Sequence, residues 1–404
     1  MRPMTDTLSG DTHLSEATKS QAVTTPGSPA RSTVLPRVEW VGPEPKVSPT
    51  QRHRFEELGL LGEGGMGEVV LAKDHDIERE VALKRLPQNC DLGRVLRFVE
   101  EIRTVGQLEH PNIVPVHDVG VDASGRYYFV MKRLHGETLE SIISRLRAGD
   151  REALARFTMP VRIQIFLGVL NALGYAHQQG YLHRDLKPAN IMVGPYGEVT
   201  VMDWGLAKRI RTPDRATGAE TEISGPRDGT VLQTQLGSVM GTPLYMSPEQ
   251  ARGAHDTLDE RSDLYALTVI LHELLHLHHY LEGSQELQQV LEGVKTKQPV
   301  LHGKAGGHFV KGGEVPAELD WFLERGFRKD PNERFSSVTE MQESLQAILR
   351  GECVVQCPRT LLKRSMYEGI KLMDHRPHLA MGLAVVVFGL FAFSVGRLIV
   401  SLAS

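Results

Sequence analysis

The chain has 404 residues, of which 41% are hydrophobic and 24% charged, with a net charge of −4. These are ordinary globular values, enough for a two-lobed core with tails, and the acidic balance gives no footprint for nucleic acid. Three cysteines, Cys90, Cys353 and Cys357, make no disulfide framework and suit a reducing compartment.

The first residues, Met-Arg-Pro-Met-Thr-Asp-Thr, contain no apolar core, so no secretory leader is expected. Residues 1–52 are rich in Ser, Thr, Pro and Gly and poor in aromatics. Such a composition cannot bury enough apolar surface to offset its ordering entropy, and it reads as a disordered tail. Its hydroxyls are candidate phosphorylation targets, although a solvated tail with no specific role is the simpler reading.

Structure is expected from Phe55. The stretch Leu60-Leu-Gly-Glu-Gly-Gly-Met-Gly-Glu-Val-Val-Leu-Ala72 alternates around Gly62, Gly64 and Gly67. It reads as two antiparallel strands joined by a glycine-rich turn, where the backbone N–H groups can approach a phosphate closely. A dinucleotide-binding turn has the same spacing but needs a helix next, whereas Val69-Val-Leu71 continues as strand. Val81-Ala-Leu-Lys84 reads as a short apolar strand closing on a lysine; taken alone, such a lysine is usually solvated. Val95, Phe98, Ile102, Val105 and Leu108 fall at helical spacing and predict a helix over 92–108. Glu101 borders its apolar face, with Glu100 as the neighbouring alternative. Tyr127-Tyr-Phe-Val-Met131 reads as a buried strand. Helical segments follow to Gln179, with 146–158 as a charged, exposed insertion.

Tyr181-Leu-His-Arg-Asp-Leu-Lys-Pro-Ala-Asn190 puts a carboxylate, an ammonium and an amide within six residues: Asp185, Lys187 and Asn190. Pro188 disfavours a helical start before it, so the segment reads as a rigid loop that aims the three side chains at one point. A carboxylate can accept a hydroxyl proton, an ammonium can meet a phosphate, and an amide oxygen can hold a metal ion. Phosphoryl transfer needs that inventory, because its catalysis is mostly positioning and charge stabilisation. Val199-Thr-Val-Met-Asp203 follows as a strand ending on a second carboxylate, beside Trp204 and Gly205. Residues 208–240 form a long polar segment leading to Gly241-Thr-Pro-Leu-Tyr-Met-Ser-Pro-Glu249. Asp259 to Tyr280 predicts a long apolar helix, and 315–349 predict closing helices.

Taken in order, these motifs resemble the protein-kinase signature set over residues 55–349. Lys187 and Pro188 resemble serine/threonine rather than tyrosine kinases. Met-Asp-Trp-Gly-Leu-Ala-Lys and Tyr-Met-Ser-Pro-Glu-Gln look like bacterial kinases of the eukaryotic type. The resemblance implies an α+β, bilobal protein-kinase-like fold. The N-lobe would be a five-stranded antiparallel sheet plus one helix, the C-lobe mainly helical, and ATP with Mg2+ (or Mn2+ in its place) would bind between them. Asp185 would orient the hydroxyl of a protein substrate, Lys84 and Lys187 would hold phosphates, and Glu101 would pair with Lys84. Asn190 and Asp203 would hold metal, as hard oxygen ligands suit magnesium. Leu61, Gly62, Gly64, Gly67, Val69, Ala82, Met131 and Met192 would line the nucleotide, with Lys132 to Leu134 as the hinge. Thr242 would contact Asp185 and Lys187, Asp263 would brace the loop backbone, and Arg334 would pair with Glu249. Lys132 stands where an acidic residue is common, Trp204 where Phe is usual, and Ser247 where Ala is usual. Arg184 could meet an added phosphate, which points to switching at Thr230, Thr234 or Ser238.

His272-Glu-Leu-Leu-His276 fits a zinc-protease pattern, with His278 and His279 near. It falls where the kinase fold has a buried helix, which argues against a metal. Cys353 and Cys357 have neither redox nor complete metal-site spacing. Leu379 to Gly396 carries no charge, and a membrane helix needs about 20 apolar residues, a length reached here if Arg397 snorkels to the interface. Lys363, Arg364, Lys371 and Arg376 precede it, so the positive-inside rule places the catalytic part in the cytoplasm of a single-pass membrane protein. The chain stops at Ser404, so no extracellular sensor is expected. The expected layout is a tail over 1–52, a kinase domain over 53–350, a linker over 351–378 and a membrane helix over 379–402. A second copy is a candidate partner for trans-phosphorylation. The rival from another class is a membrane-anchored pseudokinase scaffold, against which every catalytic position is filled. Small-molecule phosphotransferases with a kinase-like core lack the long polar segment and the Ser-Pro-Glu element.

Overall fold

The structure is a computed structural model. It describes residues 32–48, 53–64, 67–209, 242–254, 258–284, 286–300, 315–352 and 364–367, together with Met373, His378, Met381, Gly382, Gly389, Phe393 and Val395. The described residues form two compact units. One comprises residues up to Glu100 with His117–Met131, the other Glu101–Val116 with everything from Lys132 onward.

The first unit begins earlier than composition suggests. Strands β1 (Arg37–Val41) and β2 (Glu44–Ser48) form an antiparallel hairpin within the stretch 1–52 expected to be a structureless tail, of which residues 1–31 lie outside the described residues. The register pairs Val38 with Val47, Trp40 with Pro45 and Val41 with Glu44. The segment ahead of the hairpin is tied down by Asp76, whose Oδ1 accepts the N–H groups of Val34 (2.8 Å) and Leu35 (3.0 Å).

The main sheet comprises β3 (Phe55–Gly64), β4 (Gly67–Asp74), β5 (Arg79–Arg85), β6 (Val116–Val121) and β7 (Tyr127–Lys132), in spatial order β3-β4-β5-β7-β6. Strand alternation sorts its residues. Val70, Ala72, Val81, Leu83, Tyr128 and Val130 form one buried apolar cluster. The opposite face carries Val69 opposite Lys84 and Leu71 opposite Ala82. Arg54 locks the sheet's edge by reaching Asp74 (3.0 Å), Asp118 (3.1 Å) and Asp76 (3.2 Å). Helix α1 (Leu92–Gln107) follows β5.

The second unit is mainly helical. Its helices are α2 (Leu139–Ala148), α3 (Arg151–Arg156), α4 (Met159–Gln178), α5 (Pro248–Ala251), α6 (Glu260–His276), α7 (Leu287–Thr296), α8 (Ala317–Gly326) and α9 (Val338–Leu349). Short strands β8 (Glu137–Thr138), β10 (Ile191–Val193) and β11 (Val199–Val201) form one small sheet, and β9 (Tyr181–Leu182) pairs with β12 (Lys208–Arg209). Residues 146–158 are not an exposed insertion: Leu146, Ala153 and Phe157 are buried, and Gly149 at φ +80° closes α2 so that α3 can turn back. Charge on the outer faces of two short helices hid that inner stripe. Helix α6 stops at His276 because Leu277 turns left-handed, so the apolar run to Tyr280 is only partly helical.

Among the described residues one helix, α4, is long and apolar enough to cross a membrane, and much of it is buried as a core helix of this unit. The expected membrane helix at 379–402 lies largely outside the described residues, as do Cys353 and Cys357.

Candidate active site

The loop from His183 to Asn190 runs between β9 and β10. Lys187 has extended backbone, and Pro188–Asn190 form a single 3-10 turn, as a proline at that point requires. Lys187 Nζ lies 2.7 Å from Asp185 Oδ2. Asn190 donates its amide N–H to the Asp185 carbonyl (3.0 Å), which leaves its side-chain oxygen as the atom able to face a cation. Burial pushes the Asp185 carboxyl above its usual range and the Asp203 charge adds to this, while Lys187 opposes it.

Asn190 and Asp203 are brought together by the β10–β11 pairing. Ile191 sits opposite Val201, and the Met202 N–H then donates to the Asn190 carbonyl (2.8 Å). Asp203 follows with φ +58°, a left-handed conformation that Asp tolerates better than most residues. Asp203 and Asn190 thus offer one carboxylate and one amide oxygen, a hard donor set that fits Mg2+.

The loop backbone is held from below. Asp263 Oδ2 accepts the His183 N–H and Oδ1 the Arg184 N–H, each at 2.9 Å. Gln250 donates to the Arg184 carbonyl (3.0 Å). Arg184 is itself left-handed at φ +68°. Trp204 is 1% exposed, and its ring centroid lies 4.6 Å from that of His183. The sequence reading of Asp263 as a brace is met. His177 and Gln250 were missed, although Gln250 carried a signal: Ser247 and Gln250 form a capping box that starts α5.

In the first unit, among the described residues, nothing beyond their chain neighbours lies within 4 Å of where a Cβ would be at Gly62 or Gly64. Gly67 differs: at φ +133° its Cβ would meet the Arg85 carbonyl oxygen at 2.1 Å. Leu61 is exposed at a strand irregularity, while Val69 and Met131 are half-buried and Ala82 is buried. Lys84 Nζ lies 5.8 Å from the Phe129 ring centre. Glu101, at the start of the second unit, is 3% exposed, whereas Glu100, in the first, is exposed. Lys84 and Glu101 belong to different units. The boundary between Met131 and Lys132 coincides with the expected hinge, where Lys132 is exposed and Leu134 half-buried. Met192 is half-buried in β10 opposite Thr200. Thr242 opens a 3-10 turn ending at Tyr245, but its side chain lies outside the described residues, as do Thr230, Thr234 and Ser238.

The zinc-protease pattern resolves as structure. His272 and His276 are buried with stacked rings, and His276 reaches Asp320 (3.1 Å). Glu273 accepts from the Tyr245 hydroxyl (2.6 Å) and pairs with Arg147 (3.2 Å), anchoring the segment after the polar stretch. Among the described residues no group of three or more His, Cys, Asp or Glu side chains could hold a metal ion. Arg334 pairs with Glu249 through both carboxylate oxygens, as expected.

Fold and site together define a protein kinase domain. Residues 55–346 match the protein kinase domain family, and the chain belongs to that family. It is 34% identical over 313 residues to serine/threonine-protein kinase PknD of Protochlamydia amoebophila, covering 75% of this chain and 30% of that protein. It is 31% identical over 303 residues to serine/threonine-protein kinase PknD of Chlamydia pneumoniae, covering 74% and 31%, and 30% identical over 341 residues to PknD of Chlamydia trachomatis, covering 81% and 35%. The chain spans about a third of the length of these relatives.

Proposed function

We propose that the chain transfers the γ-phosphate of ATP to serine or threonine hydroxyls of proteins. The observation that carries this is the loop itself: Asp185 and Lys187 in contact at 2.7 Å on a backbone fixed by Asp263. Asp185 orients the substrate hydroxyl and takes its proton, a task helped by a carboxyl raised above its usual range. Lys187 and Lys84 meet phosphate oxygens, and the backbone of the Gly62–Gly67 turn covers them. Glu101 orients Lys84, and Thr242 supports Asp185 and Lys187. Leu61, Val69, Ala82, Met131 and Met192 make the apolar bed for the base, with the Lys132–Leu134 backbone at its edge. Asn190 and Asp203 hold Mg2+, which supplies charge neutralisation at the phosphates. The same activity on Thr230, Thr234 or Ser238 in a second copy provides switching.

We further propose that residues 379–402 anchor the chain in a membrane. This anchor is proposed from the uncharged run Leu379–Gly396, within which Met381, Phe393 and Val395 are helical and exposed. The basic residues ahead of it put the catalytic units on the cytoplasmic face. Alkaline extraction of expressing cells tests this: release of the chain with peripheral proteins would refute it.

The test of function is labelled-phosphate transfer from ATP–Mg by the full chain, beside Asp185→Asn. Transfer to itself or to a basic protein, abolished in the variant, is the expected result. A folded chain that binds ATP and transfers nothing would instead support the scaffold reading.

A further inference from the structure

We propose that Arg85 is a positioning residue for nucleotide binding: its guanidinium ties both strands that carry the Gly62–Gly67 turn to the strand that carries Lys84, and so sets where the turn sits over the phosphates. The inference rests on the reading above, in which that turn and Lys84 meet ATP. Arg85 is the last residue of β5, directly after Lys84. Side chains alternate along a strand, so the two point to opposite faces of the sheet. Lys84 lies across from Val69, while Arg85 lies across from Glu68, at the rim of the face that holds Val70 and Leu83. The guanidinium Nε donates to Glu68 Oε1 at 2.5 Å, and Nη1 donates to Glu57 Oε1. Glu57 is on β3 and Glu68 on β4, so one planar fork holds a carboxylate from each stem of the turn.

The two stems are not equally secure. β4 pairs with β5 in continuous register from Glu68↔Arg85 to Asp74↔Arg79. β3 pairs with β4 through two register shifts, at Glu57/Gly59 and Leu60/Gly62, and most of it is exposed. The β3 stem therefore has a weaker ladder, and the contact from Arg85 to Glu57 adds a tie that spans β4. On the β4 side the hold is doubled. Arg126, itself paired with Asp122 at 2.7 Å, reaches the same Glu68 oxygen at 3.0 Å. The bond from Arg85 holds the Glu68 carboxyl below its usual range, with the charges of Arg85 and Arg126 adding to this. Gly67, next to Glu68, lies on the Arg85 backbone so closely that a Cβ there would meet the Arg85 carbonyl oxygen.

Both ends of the turn and the phosphate-binding lysine are thus referenced to one residue that faces away from the nucleotide. Partly exposed ion pairs such as these add little to global stability, so their loss changes where the turn sits more than whether the sheet folds. A turn that rides higher over Lys84 loses contacts with phosphate oxygens and keeps the apolar bed for the base. The effect falls on binding of the phosphates, in the ground state and the transition state alike, and hence on KM for ATP rather than on kcat.

The test compares Arg85→Met, Glu57→Gln, Glu68→Gln and the double glutamine variant in the full chain. Lys73→Met, which removes the Lys73–Glu78 pair elsewhere on β4, is the control. Calorimetric titration with ATP, ADP and adenosine is the main readout. The expected result for Arg85→Met is ATP and ADP bound roughly threefold to tenfold more weakly, adenosine bound as by the parent, and KM for ATP raised by the same factor with kcat little changed. Each single glutamine variant shows part of this loss, and the double variant approaches Arg85→Met. Amide hydrogen exchange over residues 57–71 is faster in Arg85→Met and unchanged in Lys73→Met. Equal ATP affinity in the parent and Arg85→Met would overturn the role of Arg85. So would an equal loss of adenosine binding, which marks general damage to the sheet. A parent chain that binds no ATP would overturn the nucleotide reading instead, and the exchange comparison would still decide whether Arg85 holds the two stems. If Arg85→Met fails to fold, the glutamine variants decide alone.

Discussion

Replacing Arg334 by methionine is expected to be among the most damaging single changes in the helical unit. The guanidinium is fully buried and uses all five of its N–H donors. Two go to Glu249, at 2.8 and 2.9 Å, and three to the carbonyls of Arg328 (2.7 Å), Arg261 (3.0 Å) and Lys329 (3.2 Å). Methionine fills much of the volume but leaves Glu249 with the Ser262 hydroxyl (2.8 Å) as its remaining side-chain donor. Orphaning one member of a buried pair costs about 3–5 kcal/mol. Glu249→Gln is milder, about 1.5–3 kcal/mol: the guanidinium keeps its three carbonyls and one amide oxygen, and loses the second bond because the new NH2 can only donate. The double variant should cost less than the sum of the two, since each single change strands the other partner. Equilibrium unfolding in urea, followed by tryptophan fluorescence, measures all three. Loss of less than about 1 kcal/mol in Arg334→Met, or a larger loss in Glu249→Gln than in Arg334→Met, would refute the reasoning.

Three further outcomes are expected. Gly67→Ala should lose roughly 1–3 kcal/mol from backbone strain alone, while Gly64→Ala folds as the parent and weakens ATP binding only; calorimetric melting and nucleotide titration separate them. Trp204 Nε1 is buried with no acceptor among the described residues, so Trp204→Phe removes an unmet donor worth about 1–3 kcal/mol against a cavity term of about 1 kcal/mol. It should therefore be neutral or stabilising, and a clear loss in urea unfolding would show that the indole is bonded. Arg334 holds Glu249 below the usual carboxylate range despite burial. A carboxylate depressed in the folded state contributes stability that is fully present above its unfolded pKa of about 4.3 and is lost as pH falls through the folded value. Stability of the parent should fall in that acid window, and Arg334→Met should show a shallower fall.

Candidate groups were legible where the sequence packs polar side chains into short stretches. Asp185, Lys187 and Asn190 lie within six residues, and the structure keeps them on one loop in which Asn190 donates to the Asp185 carbonyl. Helical spacing put Glu101 at the border of the apolar face, and Phe98, Glu101 and Val105 do share a buried stripe. The hairpin at 37–48 was hidden because its residues fold two by two: polar composition over the whole tail masked a local alternation of period two. The helices at 146–158 failed for the converse reason, since three buried residues among many charges are too few to dominate a window. His177 was invisible because its partner, Asp263, lies 86 residues away, and no local pattern marks a histidine on an apolar helix as a donor.

The loop that carries the chemistry makes few of the bonds that shape it. Its backbone is set by Asp263 on α6, by Gln250 on α5 and by Met202 beyond β11, none of which carries out a chemical step. His183 belongs to both sets, since its N–H meets Asp263 while its ring meets the Met202 carbonyl (3.2 Å) and Trp204. Any movement of the Met202–Trp204 stretch therefore pulls on the same histidine that fixes Asp185. Asp203, proposed above as a metal ligand, lies inside that stretch. Turnover and metal binding should consequently respond together to changes at Trp204, even though its ring touches neither Asp185 nor a phosphate. Changes at Gln250 or Asp263 reach Asp185 through Arg184 instead, and should alter turnover while leaving metal affinity closer to the parent value.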